Sequence, residues 1–358
     1  MNKSIFSAYY GAANGFTGFR SYFKEIFNPK DFERIYVLKG GPGTGKSSLM
    51  KKIKSHFKNE RFSLDEIYCS SDPSSFDGII IYGNSKKIAV LDGTAPHETD
   101  AKIPGAIDEI INLGEMWDRN CLMDSRNKIE LLNDKKRKSY ESAYEYLSLA
   151  GEFYNHILSV TNTIFDNNLA DSIISSIVNI PVLNRSRSIH NRLISSFSKY
   201  GYKSISIDKS VFDKCYSVYG KFASQYIFMN QVVREAERKK TDYYIFPSPY
   251  SDNLIEAIYI VENNTFIMAD ADFDNRINAE DCLNNDIISK SYEKLSFFES
   301  TFQELLARAK TEFSNASESH FALEAIYTPA MNFDKLNQAA NDLIADISSL
   351  FWFLIFQD

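Results

Sequence analysis

The stretch Arg34-Ile-Tyr-Val-Leu-Lys-Gly40-Gly41-Pro42-Gly43-Thr44-Gly45-Lys46-Ser47-Ser48-Leu49-Met50 decides how this sequence is read. Ile35 to Leu38 is a short apolar run that reads as a buried strand. From Ser47 onward, SSLMKKIKSHFKNE places Leu49, Met50, Ile53 and Phe57 on one face of a helix. Between the two, Gly40, Gly45, Lys46 and Ser47 satisfy the pattern G-x-x-x-x-G-K-[ST] in its required setting of strand, glycine loop and helix. Side chains at Gly41, Gly43 and Gly45 would keep backbone N–H groups from wrapping phosphate oxygens. The helix start adds the positive end of its dipole. The expected phosphate-binding set is therefore Gly40, Gly41, Pro42, Gly43, Thr44, Gly45, Lys46, Ser47 and Ser48. Lys46 would reach the β/γ-phosphates and Ser47 would offer its hydroxyl to Mg²⁺. A tight turn ahead of a helix can also produce such a string by chance.

A site of this kind needs an acid for the metal at the end of a second strand. Lys87-Ile-Ala-Val-Leu-Asp92-Gly93 supplies four apolar residues and then Asp92, so Asp92 joins Ser47 as the expected metal ligand. Asp-Gly is also ordinary turn chemistry. Position 93, where many ATP-driven motors carry a water-polarising glutamate, is Gly93 here. The water-activating group is then sought at His97, Glu98 or Asp100, just past the strand end, with His97 the first candidate. His97 acting only as a loop-holding hydrogen bond is the competing reading. Asp72 and Asp77 are weaker candidates on the same sheet edge.

The surrounding residues resemble a family of uncharacterised bacterial P-loop ATP-binding proteins, sometimes labelled ATPases or nucleotide kinases. The resemblance is carried by Tyr68-Cys-Ser-Ser-Asp-Pro73, Phe76-Asp-Gly78 and Leu91-Asp-Gly-Thr-Ala-Pro-His97. Pro104-Gly-Ala106, Asn112-Leu-Gly114 and Gly15-Phe16 continue it, so that it covers roughly residues 8 to 118. It implies ATP and Mg²⁺ as ligands and a tandem duplication with a P-loop in each half. It brings no established reaction with it.

A duplication should leave echoes in the second half. Tyr244-Ile-Phe-Pro-Ser-Pro249 echoes Tyr68 to Pro73, and Phe266-Ile-Met-Ala-Asp270 echoes Ala89 to Asp92. Asp281-Cys-Leu283 echoes Asn120-Cys-Leu122. Phe333-Asp334 with Ile344 to Ile347 echoes Phe165-Asp166 with Ile174 to Ile177. The stretch corresponding to the glycine loop keeps only Gly220-Lys221, with Val218 and Tyr219 where bare backbone would be needed. Asp270 then reads as the relic of a metal ligand. Gly220-Lys221 as an ordinary helix start, with no duplication at all, is the alternative.

The 358 residues, 44% apolar and 24% charged, fit two folded domains or one large one. The expected fold is α/β, a P-loop NTPase three-layer αβα core with a mostly parallel sheet and a helical arm, followed by a degenerate P-loop-like half. The domains would be 1–183, with an arm from about 116, and 184–358, with an arm from about 284. Helices are expected from about Asp124 to Ala150 and from Phe153 to Asn179, and over residues 290–328. The net charge of −7 argues against a dedicated nucleic-acid binder. Cys69, Cys121, Cys215 and Cys282 are too scattered for a disulfide framework or a zinc site. The N-terminus lacks a signal-peptide pattern, and the longest apolar run, Leu350 to Phe356, is too short to span a bilayer. A cytoplasmic protein is expected.

Two charged stretches carry a sharper and a plainer reading each. Lys135 to Lys138 reads as the solvated face of a long helix or, less simply, as a patch that touches nucleic acid or a partner's acidic surface. Arg185, Arg187 and Arg192 read as an exposed linker or as the source of a charge-neutralising arginine. Function then divides between Mg-dependent ATP hydrolysis at one site and a nucleotide-gated switch that meets a protein partner or a second copy. A kinase acting on a small acceptor is the narrower alternative.

Overall fold

The computed structural model describes residues 5–58, 61–180, 182 and 189–352. In the first half β4 (Arg34–Lys39) lies second from one edge of a six-stranded sheet, flanked on both sides by parallel strands, β7 (Lys86–Asp92) and β8 (Asp108–Asn112). Beyond β7 the sheet continues through β6 (Phe76–Gly83), β5 (Ser63–Tyr68) and β1 (Ala8–Tyr10). The sheet is mixed, because β6 runs antiparallel to both of its neighbours. The turn at Asn84 and Ser85, both with positive φ, makes β6 and β7 a tight hairpin, which can only pair antiparallel strands.

The second half repeats this order strand for strand. β12 (Lys214–Tyr219) lies between parallel β15 (Thr265–Ala269) and β16 (Asn275–Asn278), then follow antiparallel β14 (Ile255–Ile260), β13 (Tyr243–Pro247) and β9 (Ile189–Asn191). Each half also carries a hairpin, β2 (Ala12–Gly15) with β3 (Gly18–Ser21), and β10 (Ser195–Ser198) with β11 (Gly201–Ser204).

One face of the first sheet packs on α2 (Lys46–Phe57) and buries Leu49, Met50, Ile53 and Phe57. The other face is covered by the single turn α1 (Phe23–Ile26) and irregular segments around Phe27 and Phe32. The expected third, helical layer is therefore not formed. The strands β5, β6 and β7 are joined by short turns, which leave no crossover helix to cover that face. In the second half α6 (Ser224–Arg238) takes the place of α2.

After β8 come α3 (Arg119–Asp124), α4 (Arg126–Ile164) and α5 (Asn167–Ile177); after β16 come α7 (Asn285–Tyr327) and α8 (Phe333–Trp352). α4 is one continuous helix of 39 residues and does not break near Gly151 as the sequence suggested. The glycine makes room for Phe16: a Cβ there would sit 2.7 Å from the Phe16 Cβ and Cγ. α4 and α7 run antiparallel, joined by Tyr140 with Phe313 (5.8 Å), Tyr154 with Phe302 (4.9 Å) and Phe153 with Phe298 (5.8 Å).

The last helix of each half packs on the other half. Ala170, Ile174 and Val178, in and just after α5, share a core with Val218, Phe228 and Ile258 of the second sheet layer. The α8 stripe Leu336, Ala340, Leu343, Ile347 and Phe351 packs on Leu49, Ile53 and Phe57 of α2. Isolated bridges fix the exchange at matching places, Trp117 with Met331 and Phe165 with Leu283. A cut at 183/184 follows the repeat along the chain yet parts each sheet from a helix that covers it.

The paired registers also correct the echoes read from sequence. Tyr68 and Pro247 both follow a bulge, so Pro247, not Tyr244, stands in the place of Tyr68. Asp92 pairs with Leu38 as Ala269 pairs with Val218, so Asp270 lies one residue past the position that matches Asp92. The bridges match Leu283 with Trp117 and Phe165 with Met331, which displaces the last two echoes as well.

Of the described residues, no helix is long and apolar enough to cross a membrane. The four cysteines are unpaired. In the C-terminal apolar run, Phe351 is buried against Phe62, and residues 353–356 lie outside the described residues.

Candidate functional site

β4 delivers the chain to Gly40 at the sheet edge, and α2 begins at Lys46. Gly43 (φ 68°) and Gly45 (φ 80°) are left-handed, a conformation that turns the chain back over the helix start and that side chains disfavour. Thr44 is buried and closes the loop by donating to the Gly41 carbonyl at 2.9 Å. Lys46 Nζ donates to the carbonyls of Gly40 (2.6 Å) and Gly41 (2.9 Å) and lies 3.6 Å from Asp92 Oδ2. Ser47 Oγ accepts from the Phe76 N–H at 3.1 Å, which leaves it a second lone pair. The Ser48 side chain is exposed.

Asp92 ends β7. Its Oδ1 accepts from Thr94 N–H (2.9 Å) and Thr94 Oγ1 (2.5 Å), which aims Oδ2 at Lys46. Opposite it stands Asp77, the second residue of β6: Gly83 pairs with Lys86, and counting back along both strands brings Asp77 across from Asp92. His97, in the loop after β7, has Nε2 3.9 Å from Asp77 Oδ2 and stacks on Phe23 at 4.3 Å. The ligand atoms of Asp77, Asp92 and His97 all lie within 4.8 Å of one another.

Asp77 and His97 are only 4% and 8% exposed, yet Asp77 Oδ2 and both His97 ring nitrogens have no hydrogen-bond partner. Burial, with the Asp92 charge adding to it, pushes the Asp77 carboxyl up to about 8. Burial lowers the His97 imidazole to about 4, against the pull of Asp92. Asp77 was the weaker sequence candidate, and the hairpin turn at 84–85 is the signal that would have placed it. The other candidates are engaged elsewhere or exposed: Asp100 pairs with Lys39 (2.7 Å), Asp72 caps the turn at Ser74, and Glu98 is exposed.

The long helices close over this edge. The Tyr140 hydroxyl of α4 lies 3.4 Å from Ser71 Oγ. Of the basic run, Arg137 reaches Glu141 at 2.8 Å and Lys135 and Lys138 are exposed, as a solvated face requires. Lys136 is turned inward, and burial together with the Lys46 ammonium lowers its pKa. From the other half, a Cβ on Gly43 would meet Thr328 Oγ1 at 2.7 Å and one on Gly45 would meet Leu336 Cδ2 at 2.6 Å. Trp117, whose buried indole Nε1 has no partner, lies beside Gly41 and 5.3 Å from Tyr327. Arg192 is taken up between the Tyr9 ring and Asp65, away from the loop. Arg185 and Arg187 lie outside the described residues.

The matching edge of the second half has no cradle. Gly220 follows β12 as Gly40 follows β4, so Val218 and Tyr219 are strand residues and not part of the loop. Only Lys221, Phe222 and Ala223 separate Gly220 from α6, with Phe222 (φ 55°) and Ala223 (φ 62°) in left-handed conformations. Phe222 is buried, its carbonyl accepting from Thr161 Oγ1 at 2.8 Å, and Lys221 is exposed, 4.0 Å from Glu280. Gln225 Nε2 donates to Asp270 Oδ2 at 2.9 Å. Compared with known proteins, the chain matches no protein-family model, no curated protein and no solved structure.

Proposed function

We propose that the chain is a P-loop nucleoside-triphosphatase that binds ATP with Mg²⁺ at the loop 40–48 and hydrolyses it at this one site. The observation that carries the reading is the convergence at 3.6 Å of Lys46, at the start of the helix that follows β4, and Asp92, at the end of the adjacent parallel strand β7, beside two left-handed glycines. The residues fit the ligands. Gly43 and Gly45 keep the backbone bare, Ser47 has a free lone pair, and Lys46 and Lys136 bring two ammonium groups toward one space. Lys46 would exchange the Gly40 and Gly41 carbonyls for phosphate oxygens, and Ser47 and Asp92 would hold the cation. Mg²⁺ held there would neutralise charge that develops on the transferred phosphoryl group. Thr94 keeps Asp92 aimed, and Trp117 covers the loop and limits water.

Steady-state ATP turnover tests this. Lys46→Ala and Asp92→Ala should each lower kcat by at least a hundredfold, since each removes charge stabilisation made at the transferred phosphate. Wild-type turnover in Lys46→Ala would sink the reading. A nucleotide-gated switch is favoured by one further observation, the packing of Gly43 and Gly45 against Thr328 and Leu336 of the other half. In that reading ATP moves the α7–α8 junction, and capture of a partner depends on nucleotide more than turnover does.

A further inference from the structure

Asp77, Asp92 and His97 offer two carboxylates and one imidazole within 4.8 Å, from β6, β7 and the loop that follows. Two of the three are more than nine-tenths buried, with Asp77 Oδ2 and both His97 nitrogens unpartnered. A buried polar atom left unmet is costly, so a cluster of them in one place calls for a missing occupant. His97 is already oriented, its ring stacked on Phe23 at 24° between planes.

The second sheet serves as an internal control. The bulge-matched registers put Glu256 where the first half has Asp77. Glu256 is buried and fully met, accepting from Ser195 Oγ and Tyr202 Oη. The hairpins match Ser195 to Ala12 and Tyr202 to Phe19, neither of which has a hydroxyl. Asp92 becomes Ala269, and the loop that holds His97 is cut to 270–274 before β16. Where the glycine cradle is gone, both other donors are gone as well and the remaining acid is closed by hydroxyls. Where the cradle stands, all three donors are present, with Asp77 Oδ2 and both His97 nitrogens unmet and Asp92 held by Thr94 and Lys46.

We propose that Asp77, Asp92 and His97 form a binding site for a divalent transition-metal ion, with a ring nitrogen of His97 as a direct ligand. A mixed nitrogen–oxygen donor set favours Mn²⁺, Co²⁺ or Zn²⁺, whereas Mg²⁺ prefers oxygen donors alone. The proposal deepens the nucleotide reading, on which any link to turnover rests, but the site itself is complete without nucleotide.

The test uses the full chain, stripped of metal and free of nucleotide. Calorimetric titration with Mn²⁺ and with Mg²⁺ should show one Mn²⁺ site per chain and at least tenfold weaker Mg²⁺ binding. Pulsed electron paramagnetic resonance of the Mn²⁺ complex should show coupling to one ¹⁴N nucleus. His97→Ala should abolish that coupling and, with Asp77→Asn, lower Mn²⁺ affinity at least tenfold, in samples whose circular dichroism matches wild type. Absent nitrogen coupling in wild type overturns the proposal whether or not the variants fold, as does equal affinity for Mg²⁺ and Mn²⁺. Fluorescent-ATP binding to the wild-type chain is read separately. Nitrogen-ligated Mn²⁺ without ATP binding supports the metal site and sinks the nucleotide reading; ATP binding without nitrogen-ligated Mn²⁺ does the reverse.

Discussion

Burial holds the Glu256 carboxyl at about 7, against 4.5 for the free side chain, while its Ser195 and Tyr202 hydrogen bonds pull the other way. Between those values the folded chain keeps a proton that the unfolded chain has released, so stability falls as pH rises from about 4.5 to 7 and levels off above. The fall from this group amounts to at most about 3 kcal/mol. Glu256→Gln should therefore flatten the pH dependence of denaturant midpoints and be relatively more stable at pH 8 than at pH 5; an unchanged pH profile would refute the assignment. Gly151 offers a second test. Alanine in mid-helix gains about 1 kcal/mol over glycine, but a Cβ held 2.7 Å from the root of the Phe16 ring must displace it, at about 1–3 kcal/mol. Gly151→Ala should lower the thermal midpoint by a few degrees, whereas a rise would mean that Phe16 yields freely.

At the scale of elements, α8 follows the second sheet in the chain yet covers the first. Leu343, buried on α8, packs in one core with Met50 and Ile53 of α2, so Leu343→Ala should cost about 2–5 kcal/mol. The loss should be read at the glycine loop, as faster amide exchange across α2, and α6 should keep its protection. This exchange of helices shows where the sequence stops being legible. The loop 40–48 could be read because its conformation depends on neighbouring residues. The four echoes fell in order on corresponding regions but in shifted registers, because a bulge or a lost loop residue shifts register without changing composition. Asp77 was underweighted because its partnership with Asp92 depends on strand pairing, which the apolar runs of β6 and β7 allow but do not dictate. Only the turn at Asn84 and Ser85 carries that information.

For the molecule as a whole, the two halves are bound through α4 and α7 and through the exchanged α5 and α8. Fragments 1–183 and 184–358, made separately, should each expose an uncovered sheet-layer face and aggregate. Made together, they should combine into a soluble one-to-one complex, and soluble monomeric fragments would contradict the packing described here. The glycine loop and its counterpart in the second half are also tied to one helix: Glu324 of α7 lies at Gly43, and Tyr292 of the same helix lies 5.8 Å from Phe222. At 1.5 Å per residue the separation along the helix is about 48 Å. The helix exchange also sets an order of events during synthesis. The chain leaves the ribosome from its N-terminus, so the half with the glycine loop emerges before the other and waits with the apolar face of α2 unsheltered until α8 is translated. Its α8 cover is made only after the second sheet, so the half that carries the glycine loop completes its packing after the second sheet has been synthesised.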